Sequence, residues 1–155
     1  VLYLADALTN NVQELFIVAD DGSTAPLRLS PPLPANGDVS QFIAGPDFAL
    51  FLADSIVDDR GELYRVPLDA RESPLRLSGS EGSGAFLVDA GATRVAYLGG
   101  IADETDVHVY AAPLGGSAPS TRLEVIDIAV DVIRARHMGD DEADVVFRPE
   151  DYEHD

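Results

Sequence analysis

The chain has no cysteine and no lysine, and its positive charge is scarce. Without cysteine there is no disulfide framework, no thiolate metal site and no cysteine nucleophile. No run approaches the roughly 18 to 20 apolar residues that cross a bilayer as a helix. The first residues also lack a basic stretch followed by an apolar block and a small-residue cleavage site. All ten basic residues are arginine, against 28 acidic ones, for a formal net charge of −18. A field of that sign repels the phosphate backbone that supplies most non-specific nucleic-acid affinity, and it repels anionic membrane surfaces for the same reason. Nucleic acid and membrane insertion are therefore not expected among its partners. An acidic excess without lysine fits a high-salt proteome, and a GC-rich genome that uses arginine for lysine fits equally well.

What the chain does have is a balanced composition. Its 155 residues are 46% hydrophobic, with a mean hydropathy close to zero, as in globular proteins with a sizeable core. More informative is its similarity to itself. Leu2-Tyr3-Leu4-Ala5-Asp6 returns as Leu50-Phe51-Leu52-Ala53-Asp54, and Glu14-Leu15-Phe16-Ile17-Val18 as Glu62-Leu63-Tyr64-Arg65-Val66, both at an offset of 48. At the same offset of 48, Pro26-Leu27-Arg28-Leu29-Ser30 returns letter for letter as Pro74-Leu75-Arg76-Leu77-Ser78. Three separated segments hold one register, which chance similarity does not do. A third copy follows at an offset of 46, through Val95-Ala96-Tyr97-Leu98, Val109-Tyr110-Ala111-Ala112-Pro113-Leu114 and Thr121-Arg122-Leu123. A fourth begins with Val145-Val146-Phe147, 50 residues after its counterpart. A repeat of this length marks a solenoid, propeller or array.

Each unit reads as short strands separated by turn residues, with no long amphipathic helix. In the complete unit the strands fall at 39–43, 49–53, 62–67 and 74–77, with turns at Gly45-Pro46-Asp47, Asp58-Asp59-Arg60-Gly61 and Leu68-Asp69-Ala70. Asp20-Asp21-Gly22-Ser23 is a tight-hairpin signal, because glycine and aspartate tolerate the positive φ of such turns. Ile126, Ile128, Val130 and Val132 alternate with Asp127, Ala129 and Asp131, which suits the opening strand of a fourth unit. The fold class is all-β, in four-stranded antiparallel sheets repeated about every 48 residues, which is the signature of β-propeller blades. The boundaries are 1–38 for a unit lacking its first strand, 39–80 and 81–124 for complete units, and 125–155 for the first two strands of another.

The order of motifs, an apolar strand ending in Ala-Asp, then Glu-Leu-aromatic-x-Val, then a Gly or Asp turn, then Pro-Leu-Arg-Leu-Ser, resembles the WD-like propeller repeat of TolB-type proteins. Gly45-Pro46-Asp47 and Asp89-Ala90-Gly91 sit where that family carries a Pro-Asp-Gly turn, although neither copy is complete. The resemblance covers the chain up to Phe147 and speaks to fold far more than to function. It implies a non-catalytic scaffold at the cell envelope, periplasmic or on the cell surface, with a protein or peptide partner docking on loops at one end. The alternative is the gating propeller of a larger prolyl-oligopeptidase-like serine peptidase, whose hydrolase domain would lie elsewhere in a longer chain.

No residue is assigned a catalytic, cofactor-binding or metal-binding role, and each candidate has a plainer explanation. Tyr3, Phe51, Tyr97 and Phe147 recur once per unit, as core packing requires. Glu14 and Glu62, with His108 at the matching position, either converge on a channel or pair with the repeated Arg28, Arg76 and Arg122; an ion pair or solvated face is the expected outcome. Asp20-Asp21, Asp58-Asp59, Asp103-Glu104-Asp106 and Asp140-Asp141-Glu142 offer oxygen ligands for weak calcium binding, yet none has alternating Asp-x-Asp-x-Asp-Gly spacing and solvated turns are expected. His108, His137 and His154 lack the spacing of a zinc peptidase helix. Ser78-Gly79-Ser80-Glu81-Gly82-Ser83-Gly84 contains neither Gly-x-Ser-x-Gly nor a phosphate-binding pattern and reads as a linker between units. Three units leave two apolar faces to cover, because propellers close with four to eight. Self-association or further units in a longer chain would cover them, and sedimentation of the 155-residue chain as a stable, well-folded monomer counts against both.

Overall fold

The computed structural model describes residues 1–89, 91–100 and 107–123. The fourth unit, with Ile126 to Val132 and Val145-Val146-Phe147, lies outside the described residues, as do Ala90, the two acidic clusters after residue 100, His137 and His154. The described residues form eleven strands and no helix. Strands β1 (Leu2–Ala5), β2 (Glu14–Ile17) and β3 (Leu27–Arg28) make the first sheet. The second contains β4 (Val39–Ala44), β5 (Phe48–Val57), β6 (Arg60–Pro67) and β7 (Leu75–Arg76), and the third β8 (Phe86–Val88), β9 (Arg94–Gly99), β10 (His108–Pro113) and β11 (Thr121–Arg122). Every sheet is an antiparallel meander in chain order. The all-β expectation and the antiparallel sheets of three or four strands are therefore realised.

The register repeats with the sequence. Tyr3 pairs with Phe16, Phe51 with Tyr64 and Tyr97 with Tyr110 across neighbouring strands. Their rings stack at centroid separations of 5.7, 5.3 and 5.6 Å, close to parallel in each case. Offset aromatic pairs at such distances add about 0.5–1.5 kcal/mol each to the burial of their area. The aromatic of β2, β6 and β10 is thus as much a part of the repeat as the aromatic of β1, β5 and β9.

Packing between sheets follows from alternation along the strands. Phe48, Leu50 and Leu52 of β5 turn toward the third sheet, where they meet Phe86, Val95 and Tyr97. Ala49, Phe51 and Ala53 turn the other way and pack with Leu15, Leu29 and Val39. The second sheet is sandwiched, and its central strand is a continuous apolar run because both its faces are covered.

Three sequence expectations are corrected in detail. Asp20-Asp21-Gly22-Ser23 does not close a tight hairpin, since β2 and β3 are joined by residues 18–26 and only the local turn with Gly22 at φ 68° is formed. The β5–β6 turn is two residues, Asp58 and Asp59, with Asp59 at φ 62°, while Arg60 and Gly61 already belong to β6. The last strand of each unit is only two residues long, because its end leaves the ladder for another device.

That device explains the repeated Leu-Arg-Leu-Ser. Leu29 N–H donates to Leu15 O, Leu77 N–H to Leu63 O and Leu123 N–H to Val109 O, each at 2.8 Å. The following serine then accepts from the same residue of the inner strand: Leu15 N–H donates to Ser30 Oγ at 3.3 Å, and Leu63 N–H to Ser78 Oγ at 3.0 Å. Both serines are buried. An edge strand that would otherwise fray is stapled by its own side chain, and an inner-strand donor gains an acceptor that the two-residue ladder does not provide. Ser78→Ala is expected to cost about 1–2 kcal/mol in chemical denaturation, from the unsatisfied Leu63 N–H. Exposed Ser80→Ala should stay within about 0.5 kcal/mol, and equal losses from the two variants would reject the staple.

Candidate functional site

Glu14, Glu62, His108 and Asp58-Asp59 gather at one end of the sheets, toward which β1, β5 and β9 run and from which β2, β6 and β10 return, while Asp20-Asp21 lies at the other end, in the connection from β2 to β3. Glu14 opens β2, Glu62 is the third residue of β6 and His108 opens β10, opposite Ala5, Ala53 and Gly99 respectively. The two glutamates are 2% and 0% exposed, so neither is a solvated side chain. Glu14 Oε1 accepts from Arg28 Nη1 at 2.8 Å, the pairing anticipated from the repeat. Glu62 is different: its ion-pair partner is Arg60, through Nη2 at 3.1 Å, and not the repeated Arg76. Its second oxygen accepts from the backbone N–H and the hydroxyl of Ser55, both at 3.1 Å, and that hydroxyl also meets Tyr64 OH at 2.6 Å. Both oxygens of Glu62 are occupied by donors from the tip of its own hairpin. The arrangement holds the hairpin in shape, as a buried charge requires. In the first sheet Ala7 and Val12 stand where Ser55 and Arg60 stand in the second, and Glu14 Oε2 accordingly has no hydrogen-bond partner.

The connections between sheets lie at this same end. Residues 29–38 lead from the first sheet to the second, where Asp38 accepts from Gln13 N–H and its own N–H donates to Asp54 Oδ1 at 2.8 Å. Asp54 N–H donates back to Asp38 O at 3.1 Å. Gly37 is obligatory beside this exchange, because a Cβ there would sit 2.6 Å from Asp54 O. Asp54 of the Ala-Asp motif thus holds Asp38 at the head of β4, and Asp38 and Val39 in turn join the second sheet to Gln13 of the first.

The second connection, 77–85, was expected to be a plain linker but is a structured crossing. Ser83 N–H donates to Gly61 O at 2.6 Å and Gly100 N–H to Glu81 O at 2.8 Å. Glu81 Oε1 accepts from Gly79 N–H at 2.8 Å, from Ser120 Oγ at 3.1 Å and from Tyr97 OH. Burial pushes Glu81 up, but the bonds from Tyr97, the backbone N–H groups of Glu81 and Gly79, and Ser120 outweigh it and hold the carboxyl below its ordinary value. Tyr97 moves the opposite way, raised first by burial and then by its bond to Glu81. Sequence reasoning missed this cluster. The first copy has Leu33 in place of Glu81, and nothing in the local spacing of Glu81 points to a tyrosine sixteen residues later.

At the far tip of the β5–β6 hairpin the surface changes character. Ile56 and Val57 each keep 51% of their area exposed, beside Asp58 and Asp59. These adjacent exposed β-branched residues stand on a hairpin braced beneath by Glu62, Arg60 and Ser55. The opposite end carries a cleft of about 500 Å³ lined by Asp47, Arg65, Pro67, Leu68, Asp69 and Glu72, in which Arg65 lies 5.0 Å above the Phe48 ring. The Asp89 turn at that end is closed by its own carboxylate, which accepts from Thr93 N–H at 2.7 Å and Arg94 N–H at 2.8 Å. The Arg94 N–H lowers Asp89 most, burial opposes it, and the hydroxyl and N–H of Thr93 add to the lowering, so the carboxyl sits below the usual range. Among the described residues, no three of His, Cys, Asp and Glu meet at a point where they could share a metal ion, and no helix is long and apolar enough to cross a membrane.

Glu81 gives a pH signature. A carboxyl held below its ordinary value of 4.5 contributes stability that is complete above that pH and is lost as the pH falls through the lowered value. Glu81→Gln is therefore expected to lower stability at pH 7 and to converge on the parent chain in acid. A difference that stays constant from pH 7 to pH 3 in denaturant titrations would assign the loss to packing alone.

A scan against protein-family models and a search of the curated proteins both find no match to this chain.

Proposed function

We propose that the chain is part of a TolB-like β-propeller that acts as a scaffold for a protein or peptide partner and carries no catalysis of its own. The observation that supports this most is the repeated register: three meander sheets follow one another along the chain, each with the same stacked cross-strand aromatic pair, and the second presses one face against each neighbour. Consecutive meanders stacked face to face are what propeller blades are made of.

The partner docks at the end that carries the β5–β6 hairpin. The buried carboxylates there are engaged in bracing loops, and the exposed surface of the hairpin offers Ile56 and Val57 next to two aspartates. An apolar centre with an acidic rim suits a partner with a small hydrophobic contact flanked by basic residues, in keeping with a chain of net charge −18. The TolB resemblance places such a scaffold at the cell envelope, in the periplasm or on the surface.

Sequencing the open reading frame on both sides of residues 1–155 tests this reading against the peptidase alternative. A secretion signal with further units of the same repeat is the expected result. A Gly-x-Ser-x-Gly segment with downstream aspartate and histidine would instead make these sheets the gate of a serine hydrolase.

A further inference from the structure

The chain holds three asparagines, Asn10, Asn11 and Asn36, and only Asn36 is followed by glycine. That neighbour matters chemically. The backbone nitrogen of the next residue can attack an asparagine's carboxamide, and a side chain on that next residue obstructs the approach. Asn10 is followed by Asn11, and Asn11 by the buried Val12, whereas Gly37 has no side chain to interfere. Asn36 is exposed, so water reaches it and a leaving group escapes. The second crossing, 77–85, contains no asparagine.

Asn36 also stands at the joint between the first two sheets. It adopts φ 64°, a left-handed conformation that asparagine tolerates better than most residues. Gly37 N–H donates to Pro34 O at 3.0 Å and closes the turn. Next comes Asp38, whose N–H donates to Asp54 Oδ1 at 2.8 Å and whose carbonyl accepts from Asp54 N–H at 3.1 Å. Val39 N–H then donates to Gln13 O at 2.8 Å, across to the first sheet. This path has no spare room. Gly37 is buried, and a single carbon added to it would lie 2.6 Å from Asp54 O and 2.7 Å from Pro34 Cδ.

We propose that Asn36 is a site of spontaneous covalent modification, held in check by the closed crossing and, once modified, unable to let it close again. The Gly37 nitrogen bonds to Asn36 Cγ, the Cγ–Nδ2 bond breaks, and ammonia leaves with the Gly37 amide proton. Water then opens the cyclic imide. Cleavage at Cγ gives an aspartate, whereas cleavage at the main-chain carbonyl gives an isoaspartyl linkage, in which the chain runs through Cβ and Cγ. No electrons are exchanged, and water is the only co-reactant. In the closed crossing the attacking N–H is engaged by Pro34 O within a buried residue, so reaction requires the turn to open. The isoaspartyl product brings an extra main-chain atom into a turn that has no space for it. Asp38 and Val39 then lose their register with Asp54 and Gln13, and the first sheet is released from the second. This chemistry is independent of whether the β5–β6 hairpin binds a partner.

The test is incubation of the full chain at mildly alkaline pH in heavy-oxygen water, folded and in urea, followed by mass spectrometry. Label is expected at residue 36 with isoaspartate-specific fragments, and conversion should be at least about tenfold slower in the folded chain than in the unfolded one. Asp54→Ala strips Asp38 N–H of its acceptor and should speed the folded reaction roughly tenfold. If that variant does not fold, urea below the unfolding transition should do the same to the parent chain. No label at residue 36 in the unfolded chain, equal rates folded and unfolded, or a folded rate unmoved by loosening the crossing would each overturn the proposal. The purified isoaspartyl chain should lose hydrogen-exchange protection at Val39 N–H, while Asn36→Asp, with the same charge and no extra atom, keeps it. Equal protection in those two chains would overturn the release.

Discussion

Strand β5 places apolar side chains on both of its faces, and the described fold depends on the two layers that cover them. Leu50 and Phe51 are fully buried but point to opposite sheets. Each such side chain contributes about 1.5–3 kcal/mol when taken fully out of water. That gain exists only while both neighbouring sheets stay in place. The first sheet has three strands among the described residues and the third is covered by the second on one face only. Neither would have a comparable core alone, because a short meander buries little area by itself.

Polar groups do a different job in this architecture. They do not generate the stacking but fix where one sheet ends and the next begins. Ser30 and Ser78 close the outermost strands, Asp38 and Asp54 bind the first crossing, and Glu81 binds the second with Tyr97 and Ser120. Each lies where the backbone leaves a ladder, and there an unmatched N–H or C=O is costly unless a side chain meets it. Glu62 extends the same logic to a hairpin: its oxygens gather Ser55 and Arg60, so the tip carrying Ile56 and Val57 projects from a braced base. The exposed tip of the hairpin is thus held by Glu62, one of the glutamates that recur along the chain.

Much of the fold was legible because repetition is visible in letters. The offsets of 48 and 46 located β5, β6, β9 and β10 within a few residues, and the recurring aromatics marked the layers between sheets. Less was legible of the site. Glu14 and Arg28 pair as their recurrence suggested, but Glu62 takes Arg60, two residues away on the same hairpin, where the first unit has Val12 and offers Glu14 no such neighbour. Glu81 was hidden within a glycine-rich stretch that reads as linker, since its partners come from β9 and from the residue before β11.

The sequence by itself determined the all-β class, the length of the unit, the order of strands and the alternation that makes every central strand two-faced, because these follow from periodicity and turn chemistry along the chain. Only the tertiary structure decided which face meets which neighbour, which arginine holds which glutamate, and that a run of serines and glycines is a stapled crossing. Those outcomes depend on distances between residues far apart in sequence, and hydrogen bonds and ion pairs form by proximity in space, which no local pattern encodes.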